Sequence, residues 1–390
     1  MSLDGLLDDL TPRLITVRQD LHAHPELAFA EERTADVVAG FLEEAGLEVS
    51  RGLAGTGVVG TLRAGTGRGA IGLRADMDAL PLQELGDLAH RSRHAGRMHA
   101  CGHDGHVAML LGAARVLATT RSFSGTVQFI FQPAEEMAGG GRAMIEDGLF
   151  ERFPVDAAFA LHNWPGLDVG HLAVRPGPVM AGADLFEIRV RGKGAHAAMP
   201  HQSRDAILAG AALVQALQSL VARNVDPQDA AVVSVTRFQA GHGNNVLPDE
   251  AVLGGTVRML DPGVRELLRT GLERVCRGVG AAHEVDIDLD YKAGYPPTLN
   301  AEAPTALAAR VASQLFGPDR VHGGLAPSMG ADDFAFMAER VPACYAWLGN
   351  GPAEGGCVLH NPHFDFNDEI IPLGVRYWVR LVETALSIDD

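Results

Sequence analysis

Three short apolar runs in the first half of the chain each give way, within four residues, to an ionisable side chain. Ala70–Arg74 leads to Asp76, Thr126–Phe131 to Glu135-Glu136, and Ala157–Leu161 to His162. Runs of this length predict strands, with Val58–Arg63 as a further one. Leu6–Leu21, Thr34–Ala45 and Gly105–Ala118 carry apolar residues at helical spacing. Strands alternating with helices predict an α/β sheet, whose chemistry belongs in the loops at the carboxyl ends of its strands.

From Asp184 to Tyr291 the rhythm changes. Leu185–Arg191 reads as a strand, Asp205–Ala222 as a helix, Ala231–Gln239 and Ala251–Met259 as strands, Pro262–Val279 as a helix and Glu284–Leu289 as a strand. The order β-α-β-β-α-β is that of the ferredoxin-like split unit. The expected organisation is a first domain of residues 1–183 plus 292–390, with residues 184–291 inserted as a second. With 390 residues, 47% of them hydrophobic, the chain can bury two cores.

A net charge of −17 argues against nucleic acid and anionic membranes as partners. It also means that an anionic ligand would need a local positive site. Cys101, Cys276, Cys344 and Cys357 are too few and too scattered for a disulfide framework. The acidic start of the chain has no signal-peptide pattern, and no run reads as a bilayer span, so the expected location is the cytoplasm. Gly139-Gly140-Gly141 lacks a P-loop lysine and does not point to a nucleotide. Gly65-x-Gly67-x-Gly69 reads as a hairpin turn between two short strands.

The densest chemistry lies in Met98-His99-Ala100-Cys101-Gly102-His103-Asp104-Gly105-His106, at the start of a helix. One such histidine would be an ordinary polar side chain. Cys-x-His flanked by two more histidines points to a metal, since thiolate and imidazole can then face one ion. In Glu135-Glu136, neighbouring side chains leave the strand in different directions, so one carboxylate can bind metal while the other faces the water above it. His162 and His360 are each weak alone; with Cys101, His103 and Glu136 they complete a set of soft and borderline ligands.

Ordered motifs along nearly the whole chain carry a resemblance. They are His22-x-His24-Pro25-Glu26-Leu27, Arg74 to Pro81, Met98 to His106, Phe131 to Glu136, Leu161 to Pro165 and Gly194 to His201. Asn244 to Pro248, Gly255 to Arg258, Gly330 to Phe334 and Leu359 to Pro362 follow. The chain resembles the aminoacylase and hippurate-hydrolase branch of the two-metal metallopeptidase superfamily. The resemblance implies a mixed-sheet catalytic domain holding two divalent metals, with an inserted ferredoxin-like α+β domain as lid and dimerisation element. It implies Cys101, His103, Glu136, His162 and His360 as ligands, Glu135 as general base, and Asp76, or else Asp78, as the carboxylate that orients a ligand. His196 matches a lid histidine that reaches the neighbouring subunit's site. Asn245 and Arg258 match lid residues near the substrate's carboxylate or carbonyl.

The implied activity is hydrolysis of the amide bond of N-acyl amino acids, as a homodimer or higher oligomer formed through the lid. Mixed thiolate, imidazole and carboxylate ligation suits zinc or manganese, with cobalt and nickel also compatible. A dipeptidase or carboxypeptidase on the same scaffold is the alternative, and a metal-dependent binding protein without catalysis is a reading from another class. The chain departs from the family pattern at Asp332, Asp168 and Val107, none of them a proposed ligand.

Overall fold

The computed structural model describes residues 2–136 and 138–388. They form two compact units. The first takes in the chain up to Gly177, Leu299–Ala326 and the segment from Asp332 onward; the second is Pro178–Thr298 with Pro327–Ala331.

The first unit is built on a mixed eight-stranded sheet. Its order is Glu48–Leu53, Gly57–Ala64, Gly125–Gln132, Ala70–Asp76, Ala157–Pro165, Ala343–Gly351, Leu172–Ala173, Val321–His322. The four strands from Gly125–Gln132 to Ala343–Gly351 run parallel. Because side chains alternate across a strand, the sheet has two unlike faces. Leu73, Ala75, Phe129, Phe131, Phe159, Leu161, Ala346 and Leu348 belong to the large apolar core. That core includes inward residues of helices Leu3–Ala23, His103–Thr120 and Ile371–Ala385. Arg74, Asp76, Gln132, His162, Tyr345 and Trp347 alternate with them onto the opposite face. The register sets Asp76 beside Gln132 and His162 beside Trp347.

Several sequence expectations change here. The glycine-rich stretch after Arg63 is not a hairpin: strand Gly125–Gln132 lies between the two strands it was expected to join. Thr126 N donates to Gly69 O, so the stretch supports a neighbouring rung instead. The strand from Ala157 does not stop at Leu161 but continues to Pro165, which puts His162 inside the sheet. Ala343–Gly351, buried along its length, escaped the reading although a continuous short apolar run is the signature of a central parallel strand.

The second unit is an antiparallel sheet in the order Ala231–Ala240, Glu250–Met259, Gly182–Arg191, Asp286–Tyr295. Helices Ala206–Asn224 and Pro262–His283 supply Leu213, Leu217, Leu220, Leu268 and Leu272 to its own core. This is the split β-α-β-β-α-β arrangement. Its edges lie outside the 184–291 read from sequence. The outer strand runs to Tyr295, and Ser328 and Gly330 return to accept from Ala181 N at 3.0 and 2.8 Å. Helix Ala206–Asn224 is long and apolar enough, by length and composition, to cross a bilayer, which the sequence reading did not single out. Its buried side chains pack in the unit's core.

Candidate metal centre and active site

In the first unit the structure gathers Cys101, His103, Glu135, Glu136, His162 and His360 at the carboxyl ends of the parallel strands. One ligand atom each from Cys101, His103 and His162 lies within 4.8 Å of the others, and the same holds for Cys101, Glu136 and His360 and for His103, Glu135 and Glu136. Cys101 Sγ is 3.4 Å from His162 Nε2, His103 Nε2 is 3.8 Å from Glu136 Oε1, and His360 Nε2 is 3.3 Å from Glu136 Oε2.

Local backbone geometry explains the convergence. Gly102 precedes the helix in the left-handed region, at φ 98°, and a Cβ there would meet Asn163 Oδ1 at 2.2 Å. Only glycine lets the chain turn between Cys101 and His103 so close to the His162 strand. His360 is held by its N–H, which donates to Ala100 O at 2.7 Å.

The imidazoles are set up to coordinate. His103 Nδ1 faces Asp78 O at 2.8 Å and His162 Nδ1 faces Asn163 O at 2.7 Å. A carbonyl only accepts, so each Nδ1 carries a proton, and each Nε2 is the nitrogen left to face a metal. His103 Nε2 and Glu136 Oε1 are buried without a hydrogen-bond partner. Orphaned buried polar atoms of this kind are costly unless something else satisfies them.

Electrostatics give the same answer. Asp76, Asp78, Glu135, Asp332 and Asp333 are all buried here. The facing cation is Arg74, whose guanidinium reaches Asp76 at 2.7 Å, Asp332 at 3.1 Å and Asp333 at 3.2 Å. Burial alone would depress His103, but Asp76, Asp78 and Glu136 raise it to about 10. Burial, then the negative charges of Glu136, Glu135 and Asp76, hold the Cys101 thiol well above its usual range. Burial and the neighbouring His106 keep His162 well below the usual imidazole range. An anionic pocket with a neutral imidazole and a suppressed thiol fits divalent cations, which would offset the carboxylates and draw out the thiolate.

Of the two candidate orienting carboxylates, Asp78 lies nearer to the candidate ligands. Its Oδ1 is 3.3 Å from His103 Nδ1 and its Oδ2 accepts from Glu136 N at 3.0 Å. Asp76 faces Arg74 and His106, the latter at 2.6 Å, and is 3.7 Å from His103 Nε2. Burial would raise Asp76, but Arg74, His103 and His106 keep it well below the carboxylate range. Burial pushes Glu135 well above that range, and Asp332, Glu136 and Asp333 push it further. Asp332, a departure from the family pattern, therefore sits beside the candidate base. Sequence reasoning takes His106 only as a histidine flanking Cys-x-His, and Arg74, Asn163 and Asp333 only as members of the ordered motifs, without a role of their own.

His196, Asn245 and Arg258 belong to the second unit. His196 and Ala195 pair with Val246 and Leu247 in a two-stranded ribbon, and Ala197 N donates to Asn245 O at 3.0 Å. His196 Nδ1 accepts from Ala198 N at 3.1 Å, which places the ring proton on Nε2 as a donor. Arg258 is half-buried on strand Glu250–Met259, and burial alone lowers its pKa.

Residues 72–384 match peptidase family M20/M25/M40. The chain belongs to that family. It is 42% identical to hippurate hydrolase of Campylobacter jejuni over 98% of both chains. It is 43% identical to N-acyl-L-amino acid amidohydrolase of Geobacillus stearothermophilus over 76% of this chain and 80% of that one. Among solved structures, a Bacillus subtilis protein described as a dinuclear metal binding peptidase from the M20 family superposes with a TM-score of 0.85. It is 35% identical, with 97% of this chain and 99% of that chain covered. The M20 relatives thus include enzymes named for amide hydrolysis.

Proposed function

We propose that this M20-family chain is a metal-dependent amidohydrolase that cleaves N-acyl amino acids, hippurate-like or N-acetyl, to a carboxylic acid and a free amino acid. The observation that carries this reading is the pairing of two orphaned ligand atoms, His103 Nε2 and Glu136 Oε1, with the buried carboxylate Glu135 beside them.

Cys101, His103, Glu136, His162 and His360 would hold two divalent ions, zinc or manganese first and cobalt or nickel as further options. Bound there, the ions would lower the pKa of a water and polarise the scissile carbonyl. Asp78 orients His103 and the Glu136 backbone. Glu135, as the carboxylate, takes the water's proton and passes it to the leaving nitrogen; the bound ions would offset the neighbouring negative charges that otherwise raise it. Asp76 pairs with Arg74 and His106 and keeps the strand end rigid beneath the ligands.

The second unit acts in this reading as lid and dimerisation element. The His196 Nε2–H would donate to the carbonyl oxygen as it gains charge. Arg258, with Asn245, would hold the substrate carboxylate and so supply the positive site that an overall acidic protein needs. A second copy fits the exposed apolar side chains of the lid. Ile207 and Leu208 project from helix Ala206–Asn224, and Val232 and Phe238 from the edge strand Ala231–Ala240. All four cysteines are free thiols, which supports a reducing compartment such as the cytoplasm.

The deciding experiment is turnover of hippurate, several N-acetyl amino acids and a dipeptide, before and after chelation and after metal is restored. Metal-dependent release of free amino acid from the acylated compounds is the expected result. Faster cleavage of the dipeptide would replace this reading with an exopeptidase, and no turnover with metal bound would remove it.

A further inference from the structure

The segment after the first helix contains Glu26 and Glu31, and neither belongs to the proposed ligand set. They do different work. Glu26 caps helix Glu32–Glu44: Oε1 accepts from Arg33 N at 3.0 Å, and Oε2 from Thr34 N at 2.8 Å and Thr34 Oγ1 at 2.9 Å. Glu31 occupies the N-cap position of that helix, yet its side chain makes no capping bond. Fully buried, it turns to the interior. Its Oε1 accepts from Phe29 N at 3.0 Å and from Ala134 N at 2.9 Å, and its Oε2 accepts from Thr56 Oγ1 at 2.7 Å.

Ala134 is the residue before Glu135-Glu136. It is buried at φ 55°, in the left-handed region that a non-glycine residue avoids. Both its polar groups are held, the N–H by Glu31 and the carbonyl by Gly140 N at 3.0 Å. A Cβ on Gly140 would stand 1.7 Å from Pro133 O, so the loop closes this tightly only around glycine. The directions of the next two side chains follow from the backbone angles fixed at Ala134.

We propose that Glu31 is a positioning residue of the active site: through the Ala134 N–H its carboxylate locks the left-handed turn that aims Glu135 and Glu136. The proposal rests on the reading of those two residues as base and metal ligand.

The test uses full-length, metal-loaded protein and its best acylated substrate, with metal retention against a chelator as a second readout. Glu31→Ala should lower kcat about 100-fold with KM within about 3-fold, the size expected for a misaimed reacting group. It should also surrender metal to the chelator sooner, because Glu136 is no longer aimed. Glu31→Gln keeps an oxygen for both backbone N–H groups and an amide for Thr56, and should keep kcat within about 5-fold. Adding Ala134→Gly to Glu31→Ala should return about 10-fold in kcat, since glycine enters the left-handed region without the penalty. Glu26→Ala, which only uncaps a helix, should lower Tm by about 2–4 °C and leave kcat unchanged.

Wild-type kcat in Glu31→Ala, equal losses in the Ala and Gln variants, or no recovery with Ala134→Gly would each overturn the proposal. If Glu31→Ala does not fold, Glu31→Asp and Glu31→Gln decide. Asp keeps the charge but falls one methylene short of Ala134 N, so kcat should drop in Asp and not in Gln, and the reverse order overturns it. A wild type inactive on every acylated compound would sink the proposed function instead. Metal retention would still report on the turn.

Discussion

Glu135 sits among more negative charge than one guanidinium can offset, with Asp332 and Asp333 within 4.8 Å of it. In the proposed function it must begin as the carboxylate to collect a proton from water and give it to an amine, and bound divalent ions would offset the charges that raise it. Glu135→Gln keeps the shape and removes the proton carrier. We expect kcat to fall about 10²- to 10⁴-fold while metal content, by elemental analysis, stays at the wild-type level. Near-normal turnover would remove Glu135 from the mechanism. Arg258 makes a different prediction, because the proposed function has it hold the substrate carboxylate and not the reacting atoms. Arg258→Ala should raise KM for an acyl amino acid about 10- to 100-fold and leave KM for the matching neutral amide nearly unchanged. An equal rise for both would exclude it as the carboxylate anchor. Cys101, His103 and Glu136 stand out as candidates because the Cys-x-His spacing and the adjacent glutamates are local features, whereas His162 and His360 are weak alone and enter only beside them. Arg74 and Asp333 do not stand out, since a buried ion cluster is made by residues some 260 positions apart.

At the scale of elements, the site hangs on how helix Leu3–Ala23 meets helix His103–Thr120. Arg18 and His22 on the first reach Asp104 on the second, each at 2.9 Å, all three side chains being buried. Arg18 continues to Asp365 at 2.5 Å, beside the segment that carries His360. Burial would lower His22, but hydrogen bonds to Asp104 and Glu84 raise it to about 9. A histidine raised on folding stabilises the native state fully below its ordinary value of 6.5, and loses that contribution as pH climbs through 9. The shift corresponds to at most about 3 kcal/mol. Asp104 runs the other way. Burial would raise it, but Arg18 and His22 hold it far below the carboxylate range, so its contribution is complete above its ordinary value. Urea unfolding should therefore separate wild type from His22→Gln clearly at pH 6 and much less at pH 10. A gap that persists at pH 10 would show that His22 acts by packing alone. The helices themselves were readable from their 3.6-residue period. Their linkage was not, because buried charge leaves no periodic trace.

For the whole molecule the question is whether one chain makes a complete site. The strand and helix order of the second unit was readable from sequence almost element by element, because each element is local and regular. Its true edges, including the return at 327–331, depend on contacts between distant segments. In the proposed function a second copy would cover the exposed apolar side chains of its helix and edge strand, and the family resemblance implies that His196 reaches the neighbouring subunit's site. Two inactive variants can test this directly. Glu135→Gln retains His196, and His196→Ala retains Glu135. If His196 serves its own chain, no pairing of the two variants contains a complete site. If it serves the neighbour, a mixed dimer has one site in which an intact Glu135 meets His196 of the partner subunit. Random reassociation of equal amounts into dimers makes half of them mixed, with one working site in two, so about a quarter of wild-type turnover should return. Recovery should require unfolding and refolding the variants together and should disappear when Leu208→Glu places charge on the exposed helix face of both. Activity that never rises above the sum of the two variants would confine His196 to its own chain and leave the apolar face without a catalytic reason to be covered.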